Sequence, residues 1–203
     1  MDDEILEEEE TEEESQEDTP TSGKTLGDMK KRVLSLIEEI NPQSQYLTDD
    51  EDIQAKINYV IDQKQHELAR IKKIAAQETL YGSEDMTVDL YEEIEDLYQI
   101  KSLQGCEYER FDNFVKFLED GELAVNYYRY PEMITAETPD THELEISTDA
   151  FEIMPFGVAA DLLKSDVSSQ YGQVYANAYR EALNMLDVKF NSNNVTIKNG
   201  III

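Results

Sequence analysis

The chain has 203 residues, of which 46 are acidic and 17 basic, giving a formal charge of −29 at pH 7 with 40% hydrophobic residues. Such a length can bury a sizeable core, and the single cysteine, Cys106, excludes an intramolecular disulfide scaffold. So acidic a balance argues against a protein that grips nucleic acid, because phosphate binding rests on Lys and Arg displacing counterions.

The first 23 residues carry twelve acidic side chains and no basic one. Like charge with almost no apolar content cannot repay the entropy of ordering, so this stretch is predicted to be a disordered acidic tail. Its simplest role is solubilising; a motif for a partner around Ile5 and Leu6 is the alternative. Acidic rather than basic, it is unlike a signal peptide, and no apolar run approaches the ~20 residues of a membrane helix. The expectation is a soluble intracellular product with no membrane partner.

Residue 24 onward reads as one domain to about residue 190. Thr25 is placed to cap a helix over 26–40, with Leu26, Met29, Val33, Leu36 and Ile40 on one stripe and Asn41–Pro42 as the stop. Thr48-Asp-Asp-Glu51 has the form of a capping box and opens a second helix, 49–75, along Ile53, Ile57, Ile61, Leu68 and Ile71. The acidic cluster Asp49–Asp52 lacks the alternating ligands and the glycine of a calcium loop.

From Met86 the apolar period drops to two, predicting four or five short antiparallel strands over 86–131. Residues 106–111 and 113–118 read as a hairpin across Asp112-Asn113, with Cys106 as a small, partly buried strand residue. Gly121–Pro131 closes the region as a strand in which Leu123, Val125 and Tyr127 alternate with Ala124, Asn126 and Tyr128. Two further helices follow, 149–164 and 169–187, on Phe151, Met154, Val158 and Leu162, then Tyr171, Val174/Tyr175, Ala178, Ala182 and Met185/Leu186. Ser168 or Ser169 would cap the second, and Pro155 marks a kink or a helix start. The four helices predict an antiparallel bundle with Gly157, Ala159 and Ala160 allowing close approach. The fold class expected is therefore α+β, mainly helical, with an inserted small antiparallel β-region. Beyond it, residues 191–203 are expected to form an extended arm, its apolar patches Val195, Thr196, Ile197 and Ile201, Ile202, Ile203 split by Asn199-Gly200; the alternative is that Val195–Ile197 adds an edge strand to the chain's own small sheet.

Chemistry is sparse. His66 and His142 lie outside any HxxxH, HExxH or CxxC context and read as solvent-facing, and Gly82, Gly105 and Gly121 are isolated turn positions rather than a phosphate loop. Tyrosines are abundant, but base stacking would need interleaved Lys or Arg. No catalytic residue, metal or cofactor is expected.

Two blocks carry a resemblance. GxLxVxYYxYPxxIT (Gly121 to Thr135) and STDAFEIMPFGVAADLLKSDVSSQYGxxY (Ser147 to Tyr175), with a final helix ending in Leu186-Asp187, resemble the head-to-tail connector (portal adaptor) proteins of tailed bacteriophages. The resemblance implies a structural protein of the virion neck, a ring of twelve identical subunits beneath the portal protein. A downstream neck or tail-completion protein would dock on it, and duplex DNA would pass through its lumen without specific binding. It also implies that the arm residues Val195 to Ile203 dock on the portal or a neighbouring subunit. An acidic DNA mimic that inhibits a host nucleic-acid enzyme is the alternative reading of the charge; an undetected hydrolase is weaker still.

Overall fold

The computed structural model describes residues 23–45, 47–165 and 170–191. Residues 1–22 of the acidic leader, the Ser168/Ser169 cap and residues 192–203 of the C-terminal arm fall outside them, Asn191 being the last residue of a helix. Its helices are α1 (Leu26–Leu36), α2 (Glu51–Ile71), the single turn α3 (Leu90–Glu93), α4 (Thr148–Leu162) and α5 (Tyr171–Asn191). The strands are β1 (Ile74–Gly82), β2 (Thr87–Asp89), β3 (Leu97–Gly105), β4 (Tyr108–Phe111), β5 (Phe114–Phe117) and β6 (Gly121–Arg129).

Two separate cores organise these elements. One joins Leu26, Met29 and Val33 of α1, Ile57, Ile61 and Leu68 of α2 and Phe151, Met154 and Val158 of α4, with Leu186 of α5. Its centre is α4, which packs on α1, α2 and α5; apolar on nearly every side, that helix suits a position with neighbours all round. Pro155 lies buried within it, and the helix runs through the proline. At Gly157 an added Cβ would come 3.0 Å from the Tyr179 ring, so glycine sets how closely α5 approaches.

Residues 130–147 run as an extended segment across the helices, contributing Ile134, Leu144 and Ile146 to this core. Polar side chains at helical spacing on α2 hold it there. Asn58 Nδ2 donates to the Thr135 carbonyl at 2.8 Å, Asp62 Oδ1 accepts the Ile134 amide at 2.8 Å, and Gln65 bonds both the Glu132 carbonyl and the Glu145 amide. Two otherwise orphaned donors in the first turn of α1, the Leu26 and Gly27 amides, bond the His142 and Asp140 carbonyls of the same segment.

The second core lies between two three-stranded antiparallel sheets, ordered β1-β6-β3 and β2-β5-β4. Leu123, Val125 and Tyr127 of β6 face Val88 of β2 and Val115 and Phe117 of β5, with Leu90, Ile94 and Leu97 closing one end. The chain passes from sheet to sheet four times, and at two of these corners, β1–β2 and β3–β4, glycines permit the crossing. A Cβ on Gly82 would meet the Phe117 ring at 2.5 Å. Gly105 takes φ +147° with its hydrogen facing the Glu122 carbonyl, where a Cβ would sit 2.1 Å away.

The expected mainly helical bundle is thereby overturned. Among the described residues helix accounts for 44% and strand for 25%. The helices do not pair off in chain order but gather around α4, and an extended segment completes their core while the β-region builds a core of its own.

Boundaries shift for local reasons. Helix α1 stops at Leu36, where Glu38 turns to φ +61°, rather than at residue 40. Thr25 does cap α1, its hydroxyl accepting the Asp28 amide at 3.1 Å. For α2 the cap is Asp50, whose carboxylate accepts the Ile53 amide at 3.0 Å; Thr48, buried, accepts the Asp50 amide instead. Where the second helix was expected to continue to residue 75, β1 begins at Ile74 and pairs along its whole length with β6. In α5, Tyr175, Ala178, Ala182 and Leu186 of the expected stripe are half-buried or buried, and Tyr179 and Leu183 widen that face by one position; Tyr171, Val174 and Met185 are exposed.

Candidate docking surfaces

Cys106, His66 and His142 are each partly buried. Cys106 sits in the bend just after β3 rather than in a strand, partly buried against the sandwich core. His66, expected to face solvent, is half-buried on α2 with Nδ1 3.0 Å from the Asp62 carbonyl and its ring 5.8 Å from that of Tyr130. His142 is likewise half-buried, its backbone carbonyl capping α1. Among the described residues no group of three or more His, Cys, Asp or Glu side chains is placed to hold a metal ion, and no helix is long and apolar enough to cross a membrane.

Charged pairs lock the layers together. Arg129, at the end of β6, forks onto the Glu145 carboxylate, which also accepts the Glu132 amide at 2.7 Å. The guanidinium bonds hold Glu145 below the usual carboxylate range, and Glu145 in turn raises Arg129. Alongside, Tyr127 donates to Asp96 at 3.0 Å; burial, and then that bond, push its phenol up to about 12. In the helical layer Lys64 reaches Glu67 and Asp161, each at 3.0 Å. Burial works against the ammonium, but the two carboxylates outweigh it and its pKa is raised.

Among the described residues, surfaces without such a role include three that present aromatic or apolar side chains. The outer face of the β1-β6-β3 sheet presents Gln77, Thr79, Tyr81, Ala124, Asn126 and Tyr128, with Glu122 as an acidic residue of its β6 row. Lys73 lies 4.8 Å and Lys101 5.9 Å from the Tyr128 ring, a paired cation–π arrangement. Sequence spacing misses it because the helix expected to run to residue 75 covers Lys73 and the start of β1, and the rest of that strand carries no clear signal of its own.

The second surface is the outer face of the small sheet. Phe111 and Phe114 pair directly across the β4–β5 turn, 59% and 44% exposed, with Tyr91 of α3 51% exposed nearby in the chain's fold. The turn is firm: Asp112 takes φ +58°, Arg110 Nε donates to the Asp112 carbonyl, and Asn113 bonds both Asp89 and the Leu90 amide. Asp89 lies across from Phe114, Glu109 two residues before Phe111 and Asp112 in the turn, with Lys116 on the same face and Arg110 bonded to the turn.

The third is a groove of about 530 Å³ between α1 and α4, lined by Leu36, Ile40, Pro155 and Phe156 with Lys31 and Arg32 on its rim. Arg32 is engaged, bonding Glu152 at 2.9 Å and lying 4.8 Å from the centre of the Phe151 ring. Lys31 is exposed.

The predicted arm residues, Val195, Thr196, Ile197 and Ile201, Ile202, Ile203, lie outside the described residues, so none of these surfaces can be joined to them. No protein-family model and no curated protein sequence matches the chain.

Proposed function

We propose that this protein is a structural head-to-tail connector of a tailed-phage virion, a ring beneath the portal protein that conducts DNA and offers a docking surface to the next neck or tail protein. The observation that carries the reading is where the two resembling blocks fall. Gly121–Thr135 supplies β6, the central strand of its sheet, and its passage onto α2; Ser147–Tyr175 supplies α4, the hub of the helical core. The likeness therefore runs through the residues that determine the fold rather than through a surface repeat. Exposed aromatic and apolar surfaces on a rigid frame, with its histidines and cysteine taken up by packing, suit a protein that works by contact rather than by chemistry.

Virion residence, the portal as partner, twelve copies and passive DNA passage follow from that reading, as does docking by the C-terminal arm. A DNA mimic draws support from Asp85, Asp89, Glu107 and Glu109 on the outer face of the small sheet, but Lys116 stands among them and pairs with Asp85 at 2.6 Å, breaking the ladder.

Fractionation of an infected-cell lysate tests the assignment. A connector sediments with mature particles and is retained with the portal after mild disruption of the heads. Recovery in the soluble fraction, bound to a host nucleic-acid enzyme, would establish the mimic instead.

A further inference from the structure

Resting on that ring reading, we infer that the aromatic tip of the β4–β5 hairpin of one copy seats in the α1–α4 groove of the next copy, and that this contact anchors the ring. Phe111 and Phe114 form a rigid, exposed pair at the end of a tight turn, so their burial carries little conformational cost. The groove offers the complementary chemistry: apolar walls from Leu36, Ile40, Pro155 and Phe156, and cationic rim residues Lys31 and Arg32.

Net charge favours the pairing. In a chain of formal charge −29, the groove lining holds two cations against the one carboxylate of Glu152, whereas at the tip Glu109, Asp112 and Asp89 outnumber Arg110 and Lys116. Lys31 is unoccupied among the described residues and stands ready for a carboxylate from outside. Tip and groove also belong to different cores, the sandwich and the helical layer. Made between successive copies, a contact between two unlike surfaces of the same chain is head-to-tail and closes into a ring when its rotation closes; made reciprocally about a two-fold axis, it would stop at a dimer with two tip-in-groove contacts.

The test uses the full-length chain and two exposed-residue variants, Phe111→Ser/Phe114→Ser at the tip and Lys31→Glu/Ile40→Glu in the groove. Melting curves check that each stays folded, and analytical ultracentrifugation reads assembly. The wild type is expected to assemble, and each variant to associate roughly tenfold or more weakly. Mixed one to one, they are expected to form a heterodimer and stop there, since one intact interface remains: the groove variant's tip in the tip variant's groove. If the wild type forms rings and the folded variants form them equally well, the tip-in-groove contact is wrong and the ring stands. A mixture that stays monomeric would also overturn it. A wild type that is monomeric at every concentration overturns both.

Discussion

Single atoms set several of the geometries here, and Gly105 is the sharpest case. Its φ of +147° is open to glycine, and a Cβ would lie 2.1 Å from the backbone oxygen of Glu122, which cannot swing aside as a side chain could. Gly105→Ala is expected to cost about 3 kcal/mol, read as a lowered urea midpoint, because the β3–β4 corner must open. Glu145 offers a pH-dependent counterpart. Its carboxylate is held below its ordinary value first by Arg129, so the folded state favours the charged form. That stabilisation is complete above the unfolded pKa of about 4.3 and is lost as pH falls through the lower folded value. Glu145→Gln should therefore be less stable than wild type at pH 7, by about 2 kcal/mol for a charge-assisted pair. The gap should close as pH drops below the unfolded value of about 4.3 and through the lower folded one, and chemical denaturation at a series of acid pH values reads it.

At the level of elements, the extended segment 130–147 is held by polar residues on a helix whose apolar stripe is also buried. Gln65 has no exposed surface and serves an amide and a carbonyl of that segment. Gln65→Ala is expected to lose about 3 kcal/mol, since two backbone groups of the segment lose their partner and a gap opens at a fully buried position. It should also speed hydrogen exchange at the Glu145 amide before global unfolding, which exchange measured by NMR would show. The same elements explain what could be read from the chain beforehand. The Thr25 cap, the hairpin at Asp112-Asn113 and the alternation of Leu123, Val125 and Tyr127 are local signals, and each is present in the fold. Strand β1, Ile-Ala-Ala-Gln-Glu-Thr-Leu-Tyr-Gly, lacks such a signal: it is an edge strand, largely exposed, and is specified by pairing with β6 some fifty residues away. Asn58, Asp62 and Gln65 did carry a signal, polar residues at helical spacing, but polarity on a helix reads as a solvated face until the segment they bind is known. Neither the groove nor the exposed tip could be foreseen, because each joins residues whose neighbours are set by tertiary packing.

For the whole molecule the governing quantity is the charge of −29. Subunits that carry it repel one another over a Debye length, about 10 Å at 0.1 M salt, whereas an aromatic tip in an apolar groove acts only at contact. Added salt screens the long-range repulsion far more than it weakens a partly desolvated contact such as Lys31 against a tip carboxylate. Self-association of the full-length chain is therefore expected to strengthen as sodium chloride rises from about 20 mM to about 300 mM, where the Debye length shrinks several-fold. A DNA mimic has the opposite dependence, because it binds the basic cleft of an enzyme through the attractions that salt screens. Sedimentation equilibrium at a series of salt concentrations reads the sign directly. Assembly that weakens steadily with salt would mean that attraction between unlike charges, not apolar contact against a background of repulsion, holds the subunits together. Strengthening confined to the wild type and absent from Phe111→Ser/Phe114→Ser would trace the apolar term to the hairpin tip, since both proteins carry the same charge.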